Sequence, residues 1–295
     1  MDAAAIRTRG LGKRYGAVVA LQDLSLDVGT GEVFGFLGPN GAGKTTTIRL
    51  LLGLIRADSG EATVLGHRVG TGGPAWRGEI GFLPGDVKFW PRLSGTETLD
   101  YLAGLTGRPA TARERLLERL GLPASVLARH VRTYSDGMRQ KLGLVQALQC
   151  APRLALLDEP TKGLDPLVQQ VFYEIVADLR AAGSTVFLSS HVLPEVERVC
   201  DRVAMLRAGA VVSLGDVETL RRAERRRVIV EFGADVDAAS LAHFGEAIVT
   251  LPRHAELLVA QAELPALVAR LGMLPLVDVV VERPSLEDAF LEHYR

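Results

Sequence analysis

Short apolar runs and amphipathic stretches take turns over the first two thirds of the chain. Glu32–Leu37, Arg153–Asp158 and Gly183–His191 each hold a brief apolar run bounded by polar residues or turns, and read as buried strands. Ala20–Val28 alternates apolar and polar positions, which predicts a strand with one buried face. It follows an earlier strand beginning near residue 6, the two joined by a loop of Lys13, Arg14, Tyr15 and Gly16. Asp58–Gly66 reads as a turn and a short strand, Gly78–Asp86 as the end of another, and 203–207 as a last one. Helical patterns cover Thr46–Leu54, then a region of about 95–150, then 167–182 and 193–200. The 95–150 region contains Thr96–Leu105, Ala112–Leu120 and Asp136–Cys150, and no heptad persists through it, so it is not a coiled coil. Strands interleaved with helices give an α/β fold.

The pattern changes at a seam near 216–226, which divides the chain into domains 1–215 and 216–295. The charge run Arg221–Arg227 fits a solvated helix or linker, or a contact with anionic lipid. Beyond it, Val228–Phe232, Ala247–Leu251, Glu256–Gln261 and Leu276–Glu282 read as strands. Ala238–Phe244 and Leu264–Leu271 read as helices. The order βαββαβ predicts a small α+β ferredoxin-like domain, followed by a final helix over Pro284–Tyr294. Asp235, Asp237 and Glu246 read as surface acids, and no catalytic constellation is visible there.

Composition narrows the possibilities. An apolar fraction of 47% in 295 residues can bury a sizeable core. No segment approaches the ~20 apolar residues of a membrane span. Met1–Arg7 lacks a signal-peptide core, so the expected location is cytoplasmic. With 34 basic and 35 acidic residues, nothing points to a nucleic-acid partner. Cys150 and Cys200 lack metal-ligand spacing and read as two lone buried thiols.

Candidate chemistry begins at Gly38-Pro39-Asn40-Gly41-Ala42-Gly43-Lys44-Thr45-Thr46, which fits the phosphate-loop pattern G-x-x-x-x-G-K-[ST] between a strand and a helix. The glycines let the backbone approach phosphates, and the helix N-terminus favours the anion. Lys44 is placed to reach the terminal phosphates and Thr45 to offer a hydroxyl to Mg²⁺. The implied ligand is a nucleoside triphosphate. Asp158 and Glu159 close an apolar strand, and neighbouring strand residues point opposite ways. One can face the Mg²⁺ held by Thr45 while the other polarises the attacking water. His191, at the carboxyl end of a strand, stands where ligands bind in such sheets. Ser135 at a helix N-cap, with Gly137 just inside, is either a second anion site or a cap alone. Tyr15 is either a stacking platform for a flat base, worth roughly 1–3 kcal/mol, or an ordinary half-buried tyrosine.

In this order and spacing, these motifs resemble the ATP-binding subunit of ATP-binding cassette (ABC) transporters, over about residues 5–215. The resemblance implies a phosphate-loop NTPase with a mixed sheet core, an antiparallel β subdomain and a helical subdomain of about 95–150. It implies an ATPase whose two copies face head to tail. Each ATP then lies between the phosphate loop of one copy and the signature motif of the other. By resemblance Tyr15 stacks on adenine, Asp158 supports Mg²⁺ and Glu159 is the general base. Ser135, Asp136 and Gly137 form the signature, Asp165 lies in the loop linking the two sites, and His191 is the switch histidine.

Two departures stand out. The position usually held by a metal-touching Gln is Gly85, which cannot touch the metal, and Asp86 next door is the candidate to substitute through a water. The usual LSGGQ signature is YSDGM, so Asp136 must point away from phosphates or sit by a cation. The YSDGM form, the appended domain and the ending Ser285–Leu291 resemble ABC-2 type exporter ATPases, which pair with a separate membrane permease. The expected function is ATP-driven export through that permease by a subunit peripheral to the cytoplasmic face of the membrane. The partner cassette is a second copy or a homologue. Phe89, Trp90 and Pro91 are either part of the permease groove or packing for the helical subdomain. The alternatives are an importer-type ATPase or a soluble regulatory ABC ATPase. A single cassette and only short helices between the phosphate loop and Asp158 weigh against the ribosome-acting and DNA-maintenance relatives. Gly85 and the exporter-like ending weigh against an importer.

Overall fold

The apolar runs become the interior of one sheet. In a computed structural model of the chain, residues 4–71, 73–218, 225–237 and 241–282 are described. Strands β3 (Val33–Leu37), β6 (Ile80–Leu83), β7 (Leu154–Asp158), β8 (Thr185–Ser190), β9 (Arg202–Arg207) and β10 (Ala210–Asp216) form it, in the order β10-β9-β3-β8-β7-β6. The pairings from β9 through β6 are parallel. Every residue of β3, β7 and β8 is buried, which is why these strands read as continuous rather than alternating. Phe187 stacks on Phe34 at 5.7 Å and tilts against Phe36 at 5.2 Å, which fixes the packing of β3 on β8.

A second sheet is antiparallel, with β1 (Ala4–Tyr15), β2 (Val18–Gly29), β4 (Ser59–Val64) and β5 (His67–Arg68) in the order β2-β1-β4-β5. In β2, Leu24, Leu26 and Val28 are buried while Ser25 and Asp27 are exposed, so the alternation read from the sequence holds there. The expected loop at Lys13–Gly16 is corrected. Lys13, Arg14 and Tyr15 belong to β1, paired with Leu21, Val19 and Val18. The reason is the Asp58 carboxylate, which accepts from Lys13 Nζ at 2.9 Å and from the Arg14 backbone N–H at 2.7 Å. Helix α1 (Lys44–Leu51) sits in a core shared by both sheets, with Ile48 and Leu51 against residues such as Leu24, Phe36 and Leu206. β10 is missing from the sequence reading, in which 203–207 is the last strand of the domain 1–215. It follows a tight turn in which Ala208 and Gly209 have φ of 48° and 82°.

Between β6 and β7 lie α2 (Gly95–Thr106), α3 (Arg113–Arg119), α4 (Ala124–Leu127) and α5 (Asp136–Leu148). α2 starts at a capping box in which Ser94 Oγ accepts from Glu97 N at 3.1 Å and Glu97 Oε2 accepts from Ser94 N at 2.7 Å. Ser94→Ala is expected to cost about 1 kcal/mol, a fall in the melting temperature of about 2–4 °C for a domain of this size. An unchanged melting curve would show that the box is not holding the helix. After β7 come α6 (Pro166–Ala181) and, after β8, α7 (Leu193–Val199). Cys200 is buried, and burial pushes its thiol well above the ordinary range. Cys150 is only half-buried, against the expectation of two buried thiols, because it sits at the end of the last helix of the helical region.

By its contacts the chain divides into units 1–215 and 216–295. In the second, β11 (Arg225–Phe232), β12 (Gly245–Leu251), β13 (His254–Ala260) and β14 (Leu276–Glu282) form an antiparallel sheet ordered β12-β13-β11-β14. Helix α8 (Leu264–Leu271) contributes Leu267 and Leu271 to a core with Val228, Val230, Leu257 and Val259. This is the expected ferredoxin-like strand order. The expected helix Ala238–Phe244 lies partly outside the described residues, and residues 241–244 form a short turn. The expected helix Pro284–Tyr294 and the ending Ser285–Leu291 lie outside the described residues. Of the charge run, Arg225–Arg227 are described, and they belong to β11 rather than to a linker.

Candidate functional site

The phosphate loop leaves the carboxyl end of β3. Its first amide, Gly38 N–H, donates to Ser190 O at 3.2 Å, and Ala42 N–H donates to Pro39 O at 3.2 Å. Pro39, Asn40 and Gly41 are exposed, whereas Ala42, Gly43 and Lys44 are buried and Thr46 is half-buried. Gly43 has φ 109°, and a Cβ there would lie 2.4 Å from Ala20 O. Only glycine fits this bend, so the pattern position is enforced by the floor under the loop. That floor belongs to β2, whose hairpin partner ends in Tyr15. Tyr15 is exposed, with Lys13 Nζ 5.6 Å from its ring centroid.

Lys44 Nζ donates to Gly38 O at 2.6 Å and Pro39 O at 3.2 Å, and stands 3.7 Å from Glu159 Oε1. Burial pushes the Lys44 ammonium below the ordinary lysine range, and the Glu159 and Asp158 carboxylates pull it back up. An arriving polyanion acts in the same direction as those carboxylates. Thr45 Oγ1 donates to Asp158 Oδ2 at 2.7 Å. Glu159 follows the strand with φ 50°, in the left-handed region. Its Oε1 lies 3.1 Å from His191 Nδ1 at the tip beyond β8. Lys44, Thr45, Asp158, Glu159 and His191 therefore converge at the carboxyl ends of β3, β7 and β8.

Two residues that the sequence reading passed over tie this cluster together. Ser189 Oγ donates to Asp158 Oδ1 at 2.5 Å and accepts from Glu159 N–H at 3.2 Å. Gln140, buried in α5, donates from Nε2 to Glu159 O at 3.3 Å and Pro160 O at 2.9 Å. Neither belongs to a motif with fixed spacing. The one local signal is that the apolar run of β8 is flanked by buried hydroxyls, Thr185 at its start and Ser189 and Ser190 at its end.

Ser135 caps α5, its Oγ accepting from Met138 N–H at 3.2 Å. Asp136 is exposed and its carboxylate is paired with the Arg139 guanidinium, the second of the two arrangements open to it from the sequence. Gly137 lies against the loop after Glu159, where a Cβ would come 3.1 Å from Gly163 O. Asp165 caps α6, with Oδ1 accepting from Val168 N–H at 3.0 Å. Asp86 is exposed and held by Lys88 at 2.8 Å, and the ammonium keeps its carboxyl below the usual carboxylate range. Gly85, by contrast, lies directly against Asp158. Trp90 packs edge-on against Tyr101 of α2 at 5.1 Å while both rings stay half exposed, so packing and surface exposure coexist there.

The donor set suits a triphosphate with a hard divalent cation. Thr45 and Asp158 offer oxygen only, which matches Mg²⁺, an ion that takes few protein ligands and completes its shell with phosphate and water. Among the described residues there is no cluster of three or more His, Cys, Asp or Glu that would favour another metal.

The fold and this cluster define a phosphate-loop ATPase, and comparison with known proteins specifies which. Residues 21–162 match the ABC transporter family, and 224–282 match the EvrA-like ABC transporter, C-terminal domain. An uncharacterised ABC transporter ATP-binding protein of Synechocystis is 37% identical over 94% of this chain and 79% of its own length. A fluoroquinolones export ATP-binding protein of Mycobacterium tuberculosis is 39% identical over 81% of this chain and 80% of its own. A solved ATP-binding subunit of an ABC transporter superposes with a TM-score of 0.69 at 32% identity, covering 74% of this chain and 92% of that one. The chain belongs to the ATP-binding proteins of ABC transporters, and is an ATP-hydrolysing enzyme.

Proposed function

We propose that this protein is the ATP-hydrolysing motor of an exporter, working with a separate ABC-2 type permease on the cytoplasmic face of the membrane. The observation that carries the ATPase half is the convergence of Lys44, Thr45, Asp158, Glu159 and His191 at three strand ends. Glu159 is the general base, held by His191. Lys44 binds the terminal phosphates. Thr45 and Asp158 would hold Mg²⁺, which when bound neutralises charge on the phosphates. Tyr15 stacks on the adenine. Ser135, with Asp136 turned aside onto Arg139, meets ATP bound by a second copy or a homologue, and Asp165 lies in the loop between the two sites. ATP shared between two chains favours the closed pair, and hydrolysis releases it.

The export half is supported by the relative named for fluoroquinolone export and by a groove of about 600 Å³. Gly85, Lys88, Phe89, Arg132, Gln140 and Lys162 are among its lining residues. Its size and mixed lining suit a short cytoplasmic helix of the permease. Among the described residues no helix is long and apolar enough to cross a membrane, and the pathway is assigned to a separate permease.

Tagged Glu159→Gln protein, loaded with ATP in native membranes, is expected to recover a polytopic membrane protein that lacks a cassette of its own. Recovery of soluble partners alone, with ATPase activity intact in the wild type, would favour a soluble regulatory ATPase. Ser135→Ala is expected to weaken ATP-driven dimerisation about tenfold while ATP binding to the monomer is kept. Equal loss of both would reduce Ser135 to a helix cap.

A further inference from the structure

Ser189 is a wholly buried hydroxyl near the end of a strand that offers Val186, Phe187 and Leu188 to the core and buries Thr185 and Ser190 beside them. Such a group is costly unless each of its hydrogen-bonding atoms finds a partner. The parallel register sets Ser189 beside Asp158. The hydroxyl hydrogen goes to Asp158 Oδ1, and the oxygen accepts the Glu159 N–H, which is shared with Ser189 O at 3.1 Å. Asp158 is thus held from two sides, by Ser189 on Oδ1 and by Thr45 on Oδ2. The carboxylate is 3% exposed and has Gly85 against it, so its orientation depends on those two hydroxyls.

We propose that Ser189 is a positioning residue for the divalent-cation corner: it fixes Asp158 so that this carboxylate and the Thr45 hydroxyl face the same cation. The inference rests on the reading that Asp158 serves the metal. Ser189 is bonded to Asp158 and the Glu159 N–H, and acts on the cation through Asp158. Its bond to the Glu159 amide also helps hold the backbone from which the base projects.

The test is Mn²⁺ binding to the full chain with a non-hydrolysable ATP analogue, followed by electron paramagnetic resonance. Ser189→Ala is expected to weaken Mn²⁺ about tenfold, the scale of an outer-shell partner, while metal-free binding of the analogue is unchanged. In steady state the Mg²⁺ concentration giving half-maximal turnover should rise by a similar factor, with most of kcat recovered at saturating Mg²⁺. Ser189→Thr retains the hydroxyl and should restore Mn²⁺ affinity to within about twofold, against the tenfold scale above. Unchanged Mn²⁺ affinity in Ser189→Ala, with a lower melting temperature, would overturn the proposal and leave a hydroxyl that only satisfies the core. Equal weakening in the Ala and Thr variants would also overturn it, because packing would then be the cause. Asp158→Asn is the control. If it leaves Mn²⁺ binding intact, the assignment of Asp158 to the metal fails and the inference falls with it. If it weakens binding while Ser189→Ala does not, the inference alone fails.

Discussion

Glu159→Gln is expected to lower steady-state ATP turnover by at least ~10²-fold, the scale of a lost general base. Gln keeps the shape of the side chain and its contact with His191 Nδ1, which lies 3.1 Å from Glu159 Oε1. It gives up the negative charge that polarises water. ATP affinity should hold or rise, because removing a carboxylate relieves repulsion of the phosphates. The loss also withdraws one of the two carboxylates that offset the burial of Lys44, leaving the nucleotide as the principal counter-charge. Trapping of an ATP-bound dimer by size-exclusion chromatography, beside a single-turnover assay, separates binding from chemistry. Turnover near the wild-type rate would show that the base lies elsewhere.

Gly85→Gln is the second large effect, and its sign is opposite to what resemblance alone suggests. Restoring the usual residue of the family is expected to impair the enzyme. A Cβ at Gly85 would lie 3.1 Å from Asp158 Oδ2 and 3.3 Å from its Cγ. Oδ2 is the oxygen that accepts from Thr45, and the other is fixed by Ser189. The carboxylate, 3% exposed and bonded through both oxygens, would have to shift by a few tenths of an ångström against those bonds. Either it turns off Thr45 or the 85–89 backbone is pushed toward the groove. Mg²⁺-dependent turnover should fall about tenfold, and Gly85→Ala, which carries the same Cβ, should share much of the loss. Equal or faster turnover in Gly85→Gln would mean that this corner yields readily and that a metal-facing side chain was merely missing.

The parts of the molecule that could be read in the sequence are those where local geometry dictates residue type. The phosphate loop is one, since Gly43 is required by the approach of Ala20 O. The paired acids closing β7 are another, because an apolar run can end in two carboxylates only where something receives them. What escaped the reading depends on partners distant in the chain. Ser189 looks like part of the polar end of a strand until Asp158, 31 residues away, is seen beside it. Gln140 reads as one more polar position on a helix until its amide is found on Glu159 O and Pro160 O. Lys13 and Arg14 look like loop residues because the group that holds them in β1 is Asp58, far along the chain. β10 was missed because its burial is only partial and irregular, which leaves no clean alternation.

Lys44 carries one further consequence. Its ammonium is occupied by the carbonyls of Gly38 and Pro39 on its own loop, with Glu159 close by. A phosphate reaching it finds two of the three N–H groups already spent on loop carbonyls and competes with Glu159 for the third. The heat released on nucleotide binding at this corner is therefore a difference between two bonded states, smaller than a tally of new contacts implies. The same arrangement keeps the side chain ordered before any ligand arrives, so little conformational freedom is lost when it does.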